Sequence, residues 1–379
     1  MLHLNNSKWN WVQNLAKTCL LTLLAVTLSL GLSAAGWNFG GKSSGLPAGN
    51  AITDGKVLLR NALPIDNSTV RELQASLEDI AYQLRANRRW NAIASDVSKA
   101  STILSERTDK LLASIPAEKQ GQAQSAIAAA KEQIVQLRTA IENQDKAQIK
   151  LFRNQTLDIV GQLEELMVQQ FPFEIPSEYS QLPQLKGRAT VEMVTDKGKI
   201  TIVVDGYSAP VTAGNFVDLV QRGFYDGLEF IRAEDSYYVQ AGDPIGEDVG
   251  FIDPNTGKYR AVPLEVLVKG DPTPTYGITL EDAGRYRDEP VLPFSAYGAV
   301  AMARPESEPD GGSSQFFFFL FEAELTPAGR NLMDGRYSVF GYVTEGQDIL
   351  RELKEGDKIQ SAKVVQGAEN LVQPTAQAA

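Results

Sequence analysis

The chain has very little of the two residue types on which most metal sites and proton-transfer sites depend. Its 379 residues include one cysteine, Cys19, and one histidine, His3, both near the N-terminus. If an N-terminal segment containing them is removed, disulfides, zinc sites, thiol nucleophiles and histidine-based triads are all excluded. The remaining chain must then work with carboxylates, arginine, lysine, tyrosine, hydroxyl groups and shape.

Positive charge is also scarce. Lys and Arg total 36 against 47 Asp and Glu, which gives a net charge of -11, and no Lys/Arg run is interleaved with aromatic residues. This balance disfavours binding to nucleic acid. No Gly-rich phosphate loop or metal-ligand cluster is present either, so we expect no cofactor. A hydrophobic content of 43% over this length predicts two or three packed cores.

The N-terminus predicts an export signal, residues 1–35. Lys8 and Lys17 are the only charged residues before an apolar stretch of 14 residues, 19–32, which small residues follow up to Ala35. This stretch is shorter than the roughly 20 residues that a membrane span needs. We expect cleavage after Ala35, with an uncleaved anchor as the alternative, and a flexible segment over residues 36–65.

Proline and glycine divide the rest of the chain. Residues 66–171 contain one proline, Pro116, and two glycines, whereas 15 of the 18 prolines lie in 172–379. The first stretch is predicted to be helical, and 172–187 to be an extended linker. Thr69 and Glu72 fit a capping box, and the apolar stripes that follow favour an antiparallel bundle without a catalytic constellation.

From residue 188 the hydrophobic period changes to that of strands. Two β-rich runs, 191–194 and 199–204, flank a short turn and predict a hairpin. The run Phe316 to Phe319 cannot alternate apolar with polar residues, so its strand must be covered on both faces. A closed or nearly closed barrel satisfies that requirement.

Five strings in this second half resemble the cyclophilin family of prolyl isomerases. They run in family order across residues 188–369, and together imply an antiparallel β-barrel with flanking helices, an insertion over 245–294 and a tail over 370–379. The fold class is therefore an all-α bundle followed by a cyclophilin-like barrel. The strings are APVTAGNFVDLVQRGFYDGLEF from Ala209, YYVQAGDP from Tyr237, GAVAMAR from Gly298, GGSSQFFFF from Gly311 and MDGRYSVFGYV from Met333.

The export signal, the bundle and the insertion together resemble one subgroup, the multidomain cyclophilins of the thylakoid lumen in chloroplasts and cyanobacteria. That subgroup is implicated in photosystem II assembly. The resemblance implies location in the thylakoid lumen or the periplasm and proline-containing protein clients, among them lumenal segments of photosystem II proteins. It also leaves open a contact between bundle and barrel, including one in which the bundle covers the barrel.

The implied reaction, prolyl cis-trans isomerisation, needs no proton shuttle. The barrier of about 18–20 kcal/mol comes from amide resonance, and a guanidinium that donates a hydrogen bond toward the prolyl nitrogen weakens that resonance. The resemblance places the catalytic residues at Arg232, Gln240 and Phe317. It places the substrate-binding residues at Tyr237, Tyr238, Ala303, Arg304, Gln315, Leu332 and Tyr337.

Several of these positions depart from the resembled family. Histidine is usual where Ile231 and Tyr337 stand, and tryptophan where Leu332 stands. A tyrosine hydroxyl in a proline pocket costs about 1–3 kcal/mol unless it is hydrogen-bonded. The alternative hypothesis is therefore a binding module, a chaperone or assembly factor for photosystem II that turns over slowly or not at all.

Overall fold

A computed structural model describes residues 52–85, 89–234, 237–254, 256–321 and 331–374. The predicted export signal, with Cys19, His3 and the cleavage site after Ala35, lies outside the described residues. Within these ranges no helix is both long enough and apolar enough to cross a membrane.

In the described part of the chain six α-helices precede the barrel, and most have the amphipathic pattern that the sequence predicts. Leu73, Leu77 and Ile80 lie on one face of the second helix and are completely buried between helices. Two short 3-10 turns, Ala117–Lys119 and Ser177–Tyr179, also belong to this half of the chain. The helices are α1 Gly55–Ala62, α2 Ser68–Arg85, α3 Trp90–Glu106, α4 Thr108–Leu112, α5 Gln120–Glu142 and α6 Lys146–Met167.

The start of α2 differs from the predicted capping box. The side chain of Asn67, not Thr69, caps the helix, because its Oδ1 accepts hydrogen bonds from the backbone N–H groups of Thr69 and Val70. Thr69 and Glu72 instead accept hydrogen bonds from the guanidinium of Arg107, which joins α2 to the end of α3. Asparagine is as good an N-cap as serine or threonine, so the motif starts two residues earlier than predicted.

Helix α1 lies inside the segment that the sequence predicts to be flexible, residues 36–65. Asp54 caps it by accepting a hydrogen bond from the N–H of Lys56. Leu58 and Leu59 are buried against the outer face of the barrel, beside Tyr342. Eight residues cannot form a stable helix alone, so α1 depends on this tertiary contact.

The barrel is an eight-stranded antiparallel sheet in the order β13-β2-β3-β12-β10-β11-β5-β4. Its two edges meet where Glu229 pairs with Lys358, and backbone hydrogen bonds on both sides of this pair close the sheet. Two short strands, β1 Gln184–Leu185 and β14 Leu371–Val372, form a small sheet of their own, so part of the predicted tail is a strand. The eight strands are β2 Arg188–Thr195, β3 Gly198–Asp205, β4 Phe230–Glu234, β5 Tyr238–Ala241, β10 Ala299–Met302, β11 Phe316–Phe319, β12 Val339–Glu345 and β13 Ile359–Gln366.

The strand β11 is covered on both faces, which confirms the prediction from its four phenylalanines. Phe316 and Phe318 point into the barrel core, where Phe316 packs on Phe216 of helix α7 (Pro210–Gln221). Phe317 and Phe319 point outward into a second cluster that also contains Leu58 and Leu59 of α1. All four phenylalanines are buried.

The insertion folds back onto the barrel as two hairpins. These are β6 Ile252–Asp253 with β7 Lys258–Tyr259, and β8 Glu265–Val266 with β9 Thr275–Tyr276. The Glu265 carboxylate is buried and accepts hydrogen bonds from the N–H groups of Val211 and Thr212 at the start of α7. Negative charge is favoured at a helix N-terminus, so Glu265 anchors the insertion there. Burial raises its pKa to about 7.

The helical half and the barrel contact each other around the side chain of Arg188. Arg188 of β2 pairs with Asp205 at 2.7 Å, lies 3.5 Å from Glu165 of α6 and donates to the backbone carbonyl of Leu59 in α1. The neighbouring Glu164 is completely buried, 3.3 Å from Arg71 of α2. A contact between bundle and barrel, which the sequence analysis left open, is therefore present.

We predict that Gly55→Ala destabilises the chain. A β-carbon at residue 55 would lie 2.8 Å from the Tyr342 β-carbon, too close for both to stay in place. Overpacking of this kind costs about 1–3 kcal/mol. Gly121→Ala is the matched control, since a β-carbon there meets nothing within 4 Å. Denaturant unfolding should show reduced stability for Gly55→Ala alone, and equal stability of the two variants would contradict this packing.

We also predict that stability falls as the pH rises from about 4.5 to 8. Burial raises the pKa of Glu164 from 4.5 to about 8, so in this window the folded chain keeps a proton that the unfolded chain loses. The slope from this one group is at most about 1.4 kcal/mol per pH unit. Glu164→Gln should make the measured slope shallower, whereas Glu132→Gln, an exposed position on α5, should not. An unchanged slope in Glu164→Gln would refute the prediction.

Candidate active site

A cavity of about 630 Å³ opens on the outer face of the barrel, beside β4, β5 and β11. It contains nine of the ten side chains that the resemblance points to. No residue of helices α1–α6 lines it, so within the described ranges the bundle does not cover the cavity. The nine are Arg232, Tyr237, Tyr238, Gln240, Ala303, Arg304, Gln315, Phe317 and Tyr337.

The three predicted catalytic residues lie in one row across adjacent strands. In the sheet register, Arg232 of β4 pairs with Gln240 of β5, and Gln240 pairs with Phe317 of β11. A register shift between Phe230 and Arg232 adds a residue to β4 at this point. Residues that pair directly across antiparallel strands point to the same face, so the row faces the cavity together.

The Arg232 residue is exposed, and its guanidinium contacts Tyr238. Its Nη1 donates a hydrogen bond to the Tyr238 hydroxyl at 2.9 Å. The Gln240 amide donates to the Gln315 side chain at 2.6 Å, and the Gln315 amide in turn donates to Asp243 at 2.8 Å. This chain of hydrogen bonds sets the orientation of both amides. An exposed guanidinium next to fixed amides can donate hydrogen bonds to a peptide.

Aromatic rings form the floor of the cavity. The Phe317 ring makes edge-on contacts with Tyr337 at 5.4 Å and with Tyr238 at 5.8 Å between centroids. Behind it, Phe294 of the insertion stacks parallel to Phe317 at 6.0 Å. Such rings offer a flat apolar surface, suited to a small saturated ring such as that of proline.

Arg304 lines the cavity, but most of its donors point to the backbone. Its guanidinium donates to the carbonyl oxygens of Pro305, Glu306 and Arg336, and it lies over the Tyr337 ring at 5.2 Å. Burial lowers the pKa of Arg304. The geometry therefore makes Arg304 a clamp between two loops that holds Tyr337 in place.

Leu332 is the one predicted residue that lies outside the cavity. Its side chain is 90% exposed, and Met333 contributes to the wall instead. The turn that follows is fixed by Asp334, whose carboxylate accepts hydrogen bonds from the N–H groups of Phe294 and Asn331. This turn directs Met333 inward and Leu332 outward.

Seven lining residues were missed by the sequence analysis, namely Met333 and six others. Two of them, Val249 and Tyr259, come from the insertion, which has no counterpart in the matching strings. The Tyr259 hydroxyl donates to the carbonyl of Gly311 at 3.0 Å, which places this hairpin against the cavity. No local pattern could reveal this contact because the residues are 52 positions apart. The others are Pro305, Glu308, Gly311 and Ser313.

Two family models match the chain in succession. The PsbQ-like domain of CYP38-like peptidyl-prolyl cis-trans isomerases matches residues 54–168, and the cyclophilin type peptidyl-prolyl cis-trans isomerase model matches residues 190–370. A putative thylakoid lumen peptidyl-prolyl cis-trans isomerase of Synechocystis sp. is 58% identical over 357 residues, which cover 93% of this chain and 94% of the relative. The chain belongs to the cyclophilin-type peptidyl-prolyl cis-trans isomerases.

Two plant members of this cyclophilin family share the same arrangement. CYP38, chloroplastic, of Arabidopsis thaliana is 46% identical and aligns with 87% of this chain and 78% of its own length. CYP37, chloroplastic, of the same species is 36% identical, and the alignment covers 84% of this chain and 71% of CYP37. These alignments extend over both halves, and the PsbQ-like match begins at residue 54, so it includes α1. The helical half is thus a family feature of this cyclophilin.

The described residues of this cyclophilin contain no group of three or more His, Cys, Asp or Glu side chains that could hold a metal ion. The cavity instead offers hydrogen-bond donors and aromatic surfaces.

We predict that Tyr238→Phe weakens the action of Arg232 without unfolding the barrel. The variant keeps the ring that contacts Phe317 but loses the hydroxyl that holds the guanidinium. Loss of one hydrogen bond of about 0.5–1.5 kcal/mol should lower isomerisation roughly twofold to tenfold. NMR exchange on a proline peptide measures the rate, and circular dichroism checks the fold. An unchanged rate would show that the hydroxyl does not position Arg232.

Proposed function

We propose that this chain catalyses cis-trans isomerisation of X-Pro bonds in protein substrates, with Arg232 as the catalytic donor. The observation that carries the proposal is the row of Arg232, Gln240 and Phe317 across three paired strands. It places a permanent cation, a fixed amide and an apolar ring on one wall of one cavity.

The mechanism follows from the amide resonance that opposes rotation about the X-Pro bond. The X-Pro bond is held by amide resonance, with a barrier of about 18–20 kcal/mol, whereas its cis and trans forms differ by only about 0.5–1 kcal/mol. A hydrogen bond from Arg232 toward the prolyl nitrogen localises the nitrogen lone pair and stabilises the twisted state. No bond to hydrogen is made or broken, and the guanidinium stays charged at any working pH.

The other residues of the cavity hold the substrate while the bond rotates. The proline ring would lie on Phe317, between Tyr337 and Tyr238, and the flanking peptide would contact Gln240, Gln315 and Ala303. Tyr237 stands at the rim, 37% exposed, and closes the pocket on that side. Arg304 acts through Tyr337, which it holds by stacking.

We further propose that the chain is exported and works in the thylakoid lumen, where the relative in Synechocystis sp. is named as working. The apolar N-terminal stretch supports export, and the periplasm is the other compartment that such a signal reaches. Proline-containing protein segments are the clients, and lumenal segments of photosystem II proteins are the first to test.

A second candidate function is a weakly catalytic chaperone or assembly factor. Two tyrosines, Tyr237 and Tyr337, line the pocket in which the apolar proline ring would bind. A hydroxyl group in that pocket lowers the affinity for proline unless it is hydrogen-bonded. A full-length chain that binds proline peptides but barely accelerates their exchange would favour this candidate.

We predict that Arg232→Ala lowers isomerisation by about 100-fold or more, the usual effect of removing a donor that acts in the transition state. Arg232→Lys should be intermediate, since it keeps the charge but loses the planar fork. NMR exchange on a single-proline peptide measures both. Arg287→Ala, an exposed arginine of the insertion outside the cavity, is the control and should match the unmodified chain.

Peptide affinity should change much less than rate in Arg232→Ala, because the aromatic floor remains. If Arg232→Ala keeps the full rate, Arg232 is not the catalytic donor and the proposed mechanism is wrong. If the unmodified chain shows no rate above the uncatalysed exchange, the enzymatic proposal itself fails and the binding function remains.

A further inference from the structure

The cavity wall carries a negative charge that has no partner among the described residues. Glu308 lines the cavity, and its side chain is exposed. Within the described ranges its carboxylate has neither an ion-pair partner nor a hydrogen-bond partner. It lies beside Gly311 and near Tyr259, and the Tyr259 hydroxyl donates a hydrogen bond to the carbonyl of Gly311.

The loop that presents Glu308 is held in one conformation. The N–H of Glu308 donates to Pro305, and the N–H of Gly311 donates to the carbonyl of Glu308. Two residues of the insertion tie the loop from outside, because Val262 donates to Gly312 and Leu264 donates to Pro309. The carboxylate is therefore displayed by a fixed backbone, which reduces the entropy lost when a ligand binds.

The cations that line the cavity do not neutralise this charge. Arg304 uses its donors on backbone carbonyls, and Arg232 lies in the catalytic row with a hydrogen bond to Tyr238. The net charge of the half of the chain that contains the barrel is also negative. Residues 169–379 contain 32 acidic and 18 basic side chains. A negative field of this kind attracts cationic segments and repels acidic ones.

Apolar residues of the same cavity wall suit a long side chain with a charged end. Val249 is 71% exposed and Tyr259 is 44% exposed, so both offer apolar surface to a ligand. The methylene stem of a lysine or arginine can lie along such surface while its head reaches a carboxylate. The Tyr259 ring can also attract the cation directly.

We propose that this groove selects proline-containing segments that carry a lysine or arginine close to the proline, and that Glu308 is the residue that selects them. The inference rests on the proposed function, since it assigns a substrate class to the same cavity. Neighbouring residues in an extended peptide advance by about 3.3–3.6 Å each, so the cation belongs within a few residues of the proline.

The test uses the full chain and an uncharged host peptide with a single proline. Lysine, glutamine or glutamate replaces one residue at a time, from three positions before the proline to three after it. NMR measures the dissociation constant and the catalysed exchange rate of each peptide. At one position lysine should bind roughly twofold to fivefold better than glutamine, and glutamate worse by a similar factor. The preference for lysine over glutamine should shrink as salt is raised from 0.02 to 0.5 M, because salt screens the attraction between the lysine and Glu308.

Two variants assign the preference. Glu308→Gln should abolish the advantage of lysine, and Glu308→Lys should reverse it in favour of glutamate. Glu306→Gln is the matched control, because Glu306 is an exposed carboxylate on the same loop that does not line the cavity. A preference that survives Glu308→Gln, or that disappears equally in Glu306→Gln, would overturn the assignment to Glu308.

The readouts separate this inference from the proposed function. Equal binding of lysine, glutamine and glutamate peptides at every position, with normal isomerisation, overturns the selection and leaves the enzyme intact. A lysine preference in binding without catalysis supports the selection and overturns the catalytic proposal. Absence of binding by every peptide overturns both.

Discussion

The two-sided burial of strand β11 is the constraint on which the rest of this structure depends. Because successive side chains point to opposite faces, Phe316 and Phe318 complete the barrel core while Phe317 and Phe319 need cover outside it. Helix α1 and Phe294 of the insertion supply that cover. Phe317 belongs to this outer cluster and also lines the cavity.

The helical half therefore supports the wall of the site and leaves its mouth open. α1 packs on β12 and on the outer aromatic cluster, and Arg188 joins α1, α6 and the barrel through a hydrogen bond to Leu59 and ion pairs with Glu165 and Asp205. Arg188 is buried with its partner Asp205, so removing either would leave an unpaired charge.

Much of the fold could be predicted from local pattern. The scarcity of proline and glycine indicated the helices, and four consecutive phenylalanines indicated a strand covered on both faces. The collinear strings brought nine of ten site residues to one cavity. The prediction for Leu332 was wrong because a hydrogen-bonded turn, not strand periodicity, decides that Met333 and not Leu332 faces the cavity. α1 was missed because its stability comes from the barrel surface, and the N-cap was misplaced because Asn67 and Thr69 both satisfy the local pattern.

The sequence alone determined the residue types available to this protein: a chain with one histidine and one cysteine, an arginine in a strand, and aromatic rings in neighbouring strands. Those properties are local, since they follow from composition and from the period of each segment. Only the tertiary structure decided that the insertion reaches the cavity, that Arg304 is a clamp, and that Glu308 lines the cavity with no partner among the described residues. These features arise from contacts between residues distant in the chain, which no window of neighbouring residues contains.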